Sequence, residues 1–182
     1  HTHKAMYDLA PLAIPFLFQT GLRIGELCAV RYEDIESPDY IHVQRMYNKD
    51  TKKVIEHTKT DCGDRQVILT QKAKEIIRTA RSRQKEVGAD STRYIFSMDG
   101  KPVPQYAVAY RFRKYCKEYG TMVKSSHKVR KTYISALLDA HVNINTVREL
   151  VGHSDERTTL KNYCFDRNTE AEKREKVEKA LA

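Results

Sequence analysis

The chain has 182 residues, 40% apolar and 31% charged, a balance that supports one packed domain and argues against wholesale disorder. Thirty-three lysines and arginines stand against 24 aspartates and glutamates, a formal charge of +9. No apolar run approaches the roughly 18 residues of a membrane span, no signal-peptide pattern opens the chain, and Cys28, Cys62, Cys116 and Cys164 are too scattered for a disulfide framework or a zinc site, which points to a cytoplasmic protein with free thiols.

Taken in order, residues 4–20 carry Met6, Leu9, Ala13, Phe16 and Leu17 at helical spacing and stop at Gly21. Pro11 and Pro15 mean that this helix starts late or is kinked. His1 and His3 are given no role. A short second helix follows through Ile24, Leu27, Cys28 and Val30. Tyr40–Arg45, Lys53–His57 and Arg65–Leu69 alternate and are β-branched, which predicts a small three-stranded antiparallel sheet, with residues 59–64 as the turn of its second hairpin. Thr70 caps a basic amphipathic helix over residues 72–87, closed by Gly88. Tyr94-Ile95-Phe96 is a short apolar piece and Asp99-Gly100 a turn. A helix from Val103 or Pro104 to Tyr119 interleaves aromatic and basic residues, and its aromatics are expected in the core. Ser126 is the expected cap of a helix reaching Ala140, and Asn145 that of one ending at Gly152. A segment from Ser154 to Tyr163 comes next. Thr169-Glu170-Ala171-Glu172 is a capping box that opens a last helix to Leu181. The expected class is α+β, mainly α-helical.

The charge is concentrated. Residues 101–131 hold nine basic residues and one acidic residue, Glu118. A local excess of this kind suits a polyanion, because each neutralised phosphate releases counterions; the bland alternative is a solvated basic face. Lys101, Arg111, Arg113, Lys114, Lys124, Lys128 and Lys131 are the candidate phosphate-contacting residues.

Within that stretch His127 and Arg130, three apart on a helix, point an imidazole and a guanidinium into one space, a pair that suits a phosphate. Gly152 would place His153 on a tight turn, and Tyr163 follows ten residues later as a candidate nucleophile. Arg23 and Glu26 are one turn apart, so the carboxylate can orient the guanidinium; a surface ion pair is the plain alternative. Cleaving a phosphodiester without a metal needs a nucleophile, positive charge at the non-bridging oxygens and a proton donor for the leaving oxygen. The set requires no metal and no cofactor, since the bond energy is kept in the ester.

Gly21-Leu22-Arg23-Ile24-Gly25-Glu26-Leu27, Thr58-Lys59-Thr60, Ser126-His127-Lys128-Val129-Arg130, Leu150-Val151-Gly152-His153-Ser154 and Tyr163, in that order, resemble the tyrosine recombinases, the phage-integrase family of DNA strand transferases. Their wording is most similar to integrases of conjugative transposons and phages. The resemblance implies that Arg23 and Arg130 grip the scissile phosphate, that His153 donates a hydrogen bond to it, and that Lys59 is the general acid. It implies that His127 assists proton transfer at Tyr163 or braces the phosphate, and that Tyr163 forms a 3′-phosphotyrosine link. It also implies a site-specific recombinase that acts on double-stranded DNA and integrates and excises a mobile element. Residues 1–165 would be the catalytic domain, without the further DNA-gripping domains of the family. Residues 166–182 would be a tail helix exchanged between subunits of a homo-oligomer, a tetramer on recombination sites; a solvated terminal helix is the plain alternative. The alternatives are a DNA-binding module of the same fold without catalysis, and a topoisomerase or telomere resolvase that reseals DNA in place.

Overall fold

In the computed structural model, residues 8–58, 61–123, 125–153 and 169–181 are described. The elements run α1 (Ala10–Thr20), α2 (Ile24–Leu27), β1 (Tyr40–Val43), β2 (Met46–Asn48), β3 (Lys53–Ile55), β4 (Arg65–Ile68) and α3 (Gln71–Glu86), then β5 (Ser97–Met98), β6 (Lys101–Pro102), α4 (Gln105–Glu118), α5 (Ser126–Asp139), α6 (Ile144–Val151) and α7 (Glu170–Leu181). Single 3-10 turns lie at Tyr32–Asp34 and Asp61–Gly63.

Helix α1 is the axis of the core, packed against α3, α4 and α5. It starts late. Pro11 sits in its first turn, where a missing N–H has no intrahelical partner to lose. Pro15, on an exposed face, leaves the helix continuous. Ala10, Ala13 and Phe16 are wholly buried with Leu9 and Leu17, and Phe16 meets Phe96 in a tilted ring pair at 5.1 Å. Burial of each large apolar side chain stabilises the fold by about 1.5–3 kcal/mol. The helix ends at Gly21, whose φ of +62° is left-handed and whose N–H donates to Leu17 O at 2.9 Å. A Cβ there would fall 2.2 Å from the Tyr133 ring of α5, so the close seating of α5 on the end of α1 requires glycine.

The expected three-stranded sheet is instead two separate ribbons: β1 pairs with β4, from Tyr40 opposite Ile68 to Val43 opposite Arg65, and β2 pairs with β3. The Tyr40–Arg45 run stops as a strand at Val43, and Met46 begins the β2–β3 hairpin. Strand β3 therefore turns away from β4. Its end is clasped by arginines: Arg31 and Arg45 both bind Glu56, and Arg45 also binds the buried Asp34. Asp99 and Gly100, both at positive φ, make the two-residue turn between β5 and β6.

Two caps differ from expectation. Ser125, extended, precedes α5, and Ser126 is its first residue. Asn143, rather than Asn145, caps α6, accepting from the Asn145 N–H at 2.8 Å. Thr70 does cap α3, accepting from Ala73 N at 3.1 Å. On α4 the aromatics divide: Phe112 and Tyr115 pack on the core, whereas Tyr106, Tyr110 and Tyr119 are exposed. Among the described residues no helix is long and apolar enough to cross a membrane.

Candidate active site

The site is built around the C-terminal end of α6. There the Gly152 N–H donates to Glu149 O and the His153 N–H to Arg148 O, each at 3.1 Å, the paired bonds of a Schellman ending. Gly152 adopts φ +64°, and a Cβ on it would lie 2.3 Å from the carbonyl oxygen of Cys62. The last carbonyls of a helix have no intrahelical partner, and they carry the negative end of its dipole. Three arginines from three distant elements take them in succession. Arg65 Nε donates to Leu150 O at 2.8 Å, Arg130 Nη2 to Val151 O, and Arg23 Nη2 to Gly152 O at 3.0 Å.

Arg130, on α5, is 3% exposed and also donates through Nη1 to Gly21 O at 2.6 Å, so one guanidinium joins the ends of α1 and α6. Arg23 stands just before α2. Glu26 accepts from its backbone N–H at 2.8 Å and from its Nη1 at 2.7 Å. Glu26 itself is 3% exposed and receives Arg65 as well, with Nη1 to Oε1 at 3.2 Å and Nη2 to Oε2 at 2.9 Å. Burial alone would raise the Glu26 pKa; the Arg65 and then the Arg23 guanidinium overcome it and hold the carboxyl below the usual range.

His153 is half-buried beside this cluster. Burial first, and then the charges of Arg130, Arg23 and Arg65, push its pKa down to about 4. His127, in the first turn of α5, shifts in the same direction, through burial and then through Lys131, Arg130, Lys128 and Arg23. The main-chain bonds at the α6 ending thus bring Arg23 and Arg130 next to His153, while His127 is exposed at the start of α5 and senses both guanidiniums. Lys59, Tyr163 and Lys124 lie outside the described residues.

Of the basic residues expected to meet phosphates, Lys101, Arg113, Lys114 and Lys128 are exposed and Lys131 is half-buried. Arg111 is held in an ion pair with Asp8 at 3.0 Å. Among the described residues no group of three histidines, cysteines or carboxylates is placed to hold a metal ion.

Arg65 was missed in the sequence, where it counts only as the first residue of a strand. A signal was there. Val67 and Leu69 point inward, and Arg65 has the same parity, so the alternation that buries them also buries a guanidinium. A buried arginine requires a buried acceptor, and Glu26 is that acceptor.

Residues 2–170 match the model of the phage integrase family. The chain belongs to that family. A XerC-like tyrosine recombinase of Caldanaerobacter subterraneus is 28% identical over 90% of this chain and 45% of its own length. A tyrosine recombinase of Pseudothermotoga lettingae is 30% identical over 81% of the chain and 46% of its own length. The chain thus spans about half the length of the curated relatives it matches. Among solved structures, the integrase of transposon Tn1549 in complex with transposon right-end DNA superposes with a TM-score of 0.77, covering 94% of this chain and 58% of that one at 23% identity. The α-rich architecture with small antiparallel ribbons is therefore a phage-integrase fold. Within it, the Arg23 to Glu26 turn and the α6 ending are the two pieces that α5 brings together.

Proposed function

We propose that this chain is the catalytic part of a site-specific DNA recombinase, which cuts and rejoins DNA through a covalent 3′-phosphotyrosine link and so integrates and excises a mobile element. The observation that carries the reading is the convergence of Arg23, Arg130 and His153 at the end of α6, in a chain of the phage integrase family. A guanidinium has five N–H donors, so holding main-chain carbonyls is compatible with gripping a phosphate as well.

In this reading Tyr163 Oη attacks the scissile phosphorus. The bond to the 5′ oxygen breaks, and Lys59 gives that oxygen its proton. Arg23 and Arg130 stabilise the charge on the non-bridging oxygens. His153, with its pKa near 4, is a neutral imidazole at physiological pH and contributes a hydrogen bond without adding charge. His127 accepts the tyrosine proton, a transfer that a phenol with an ordinary pKa near 10 needs at neutral pH. Because the ester keeps the bond energy, religation needs no cofactor. The substrate is double-stranded DNA in the bacterial cytoplasm, met by Lys101, Arg113, Lys114, Lys124, Lys128 and Lys131. Residues 166–182 supply the contact that assembles copies of the chain on a recombination site.

The test is a nicked duplex from the ends of the element, incubated with the chain in EDTA and resolved on a denaturing gel. A covalent adduct that survives chelation and vanishes in Tyr163→Phe is the expected result. Tight binding to that duplex with no adduct would instead make the chain a binding module.

A further inference from the structure

We infer that Arg65 is a positioning residue for the proposed reaction: by neutralising Glu26 it leaves the charge of Arg23 available to the scissile phosphate. The inference rests on the recombinase reading above. Glu26 is a buried carboxylate in direct contact with two guanidiniums, Arg23 and Arg65. Arg65 is almost as buried as Glu26, engages both carboxylate oxygens, and is fixed from behind by the carbonyls of Leu150 and Gly63. Arg23 is the partner that reaches solvent, with over a third of its side chain exposed. Two cations against one anion leave one net positive charge, and the accessible end of the triad is Arg23. Without Arg65 the triad becomes a neutral Arg23–Glu26 pair. Arg23 would still be in place but would present little net charge, and Arg130 would face the phosphate without that help.

The same bonds exclude a role for Arg65 at the phosphate itself. Its Nε, Nη1 and Nη2 are all committed to Leu150 O, Gly63 O and Glu26, in a buried position. It acts through Arg23 and through the seat of the α6 ending.

The experiment compares adduct formation by the unmodified chain, Arg65→Gln, Glu26→Gln and the Arg65→Gln/Glu26→Gln double variant. Each is tested on a phosphodiester duplex and on one with a methylphosphonate at the scissile position, which lacks the charged non-bridging oxygen. Arg65→Gln should slow the phosphodiester reaction by roughly 100-fold, the usual effect of losing one stabilising group at a developing charge. It should lose far less on the methylphosphonate. Removing the Glu26 charge as well should restore most of the phosphodiester rate, so that the double variant outperforms Arg65→Gln. A melting curve and DNA binding for each variant show whether it folds. A merely structural Arg65 predicts the opposite pattern, equal losses on both duplexes and a double variant worse than either single one; that result overturns the inference. An unmodified chain that forms no adduct overturns the recombinase reading first, and the inference with it.

Discussion

The Arg130 guanidinium donates to the main-chain carbonyl of Val151, the last residue of α6, from a position 21 residues earlier in the chain. Its other terminal nitrogen holds Gly21 O across 109 residues. A lysine has a single ammonium and cannot reproduce that fork. Arg130→Lys is expected to leave one buried carbonyl without its partner and to cost about 1–3 kcal/mol, read as a lower urea midpoint. Adduct formation should fall with it, by roughly 100-fold.

Gly152 answers two demands at once, a left-handed φ and contact with the Cys62 carbonyl. Gly152→Ala meets both as penalties. We expect a loss of at least about 1–3 kcal/mol from backbone strain alone, seen as a lower melting temperature. A variant that melts with the unmodified chain would show that the α6 ending relaxes freely.

His153 has a pKa pushed down to about 4, against an unfolded value near 6.5. Between these values the unfolded chain binds the proton and the folded chain does not. Stability from this group is therefore fully present above about pH 6.5 and is lost as pH falls toward 4. Melting temperature should drop over that window in the unmodified chain and drop less in His153→Gln. The imidazole resonances should show no titration between pH 6 and 8.

His42 carries the opposite sign. It lies between Asp64, at 2.6 Å from Nε2, and Glu36, at 2.9 Å from Nδ1. The hydrogen bond to Asp64 outweighs desolvation and raises its pKa. Its contribution is fully present below the unfolded pKa and fades as pH rises through the folded one. NMR titration should find His42 protonating above the ordinary histidine value, and Asp64→Asn should bring it down.

Helix α7 opens with the expected capping box: the Thr169 N–H donates to Glu172 at 2.6 Å, and the Glu172 N–H to Thr169 Oγ1 at 3.3 Å. Its apolar residues Val177 and Leu181 are 57% and 84% exposed. Deleting residues 169–182 should therefore leave the melting temperature unchanged. If the tail joins neighbouring subunits, as proposed, the same deletion should shrink the complex formed on a recombination-site duplex in sedimentation velocity. An unchanged complex would remove that role.

What the sequence determined by itself is local. The helix periods, the glycine endings at Gly21 and Gly152, the Thr169–Glu172 box and the His127–Arg130 spacing depend on residues within about a turn of one another. Short-range sterics and hydrogen bonding decide them. The ordered motifs also pointed to the family and to Arg23, His127, Arg130 and His153. The tertiary structure alone decided the strand partners and which buried groups Arg65 and Arg23 bind. Strand β4 pairs with β1 because the chain between them turns off as the β2–β3 hairpin, a choice that period-two alternation does not register. Arg65 meets Glu26 across 39 residues, and Arg23 meets Gly152 across 129. A charge in a strand pattern does not say which buried carboxylate will receive it. Burial made those meetings obligatory, since a guanidinium or a helix-end carbonyl removed from water must find a partner, and only the packed arrangement of α2, β4, α5 and α6 shows which one it found.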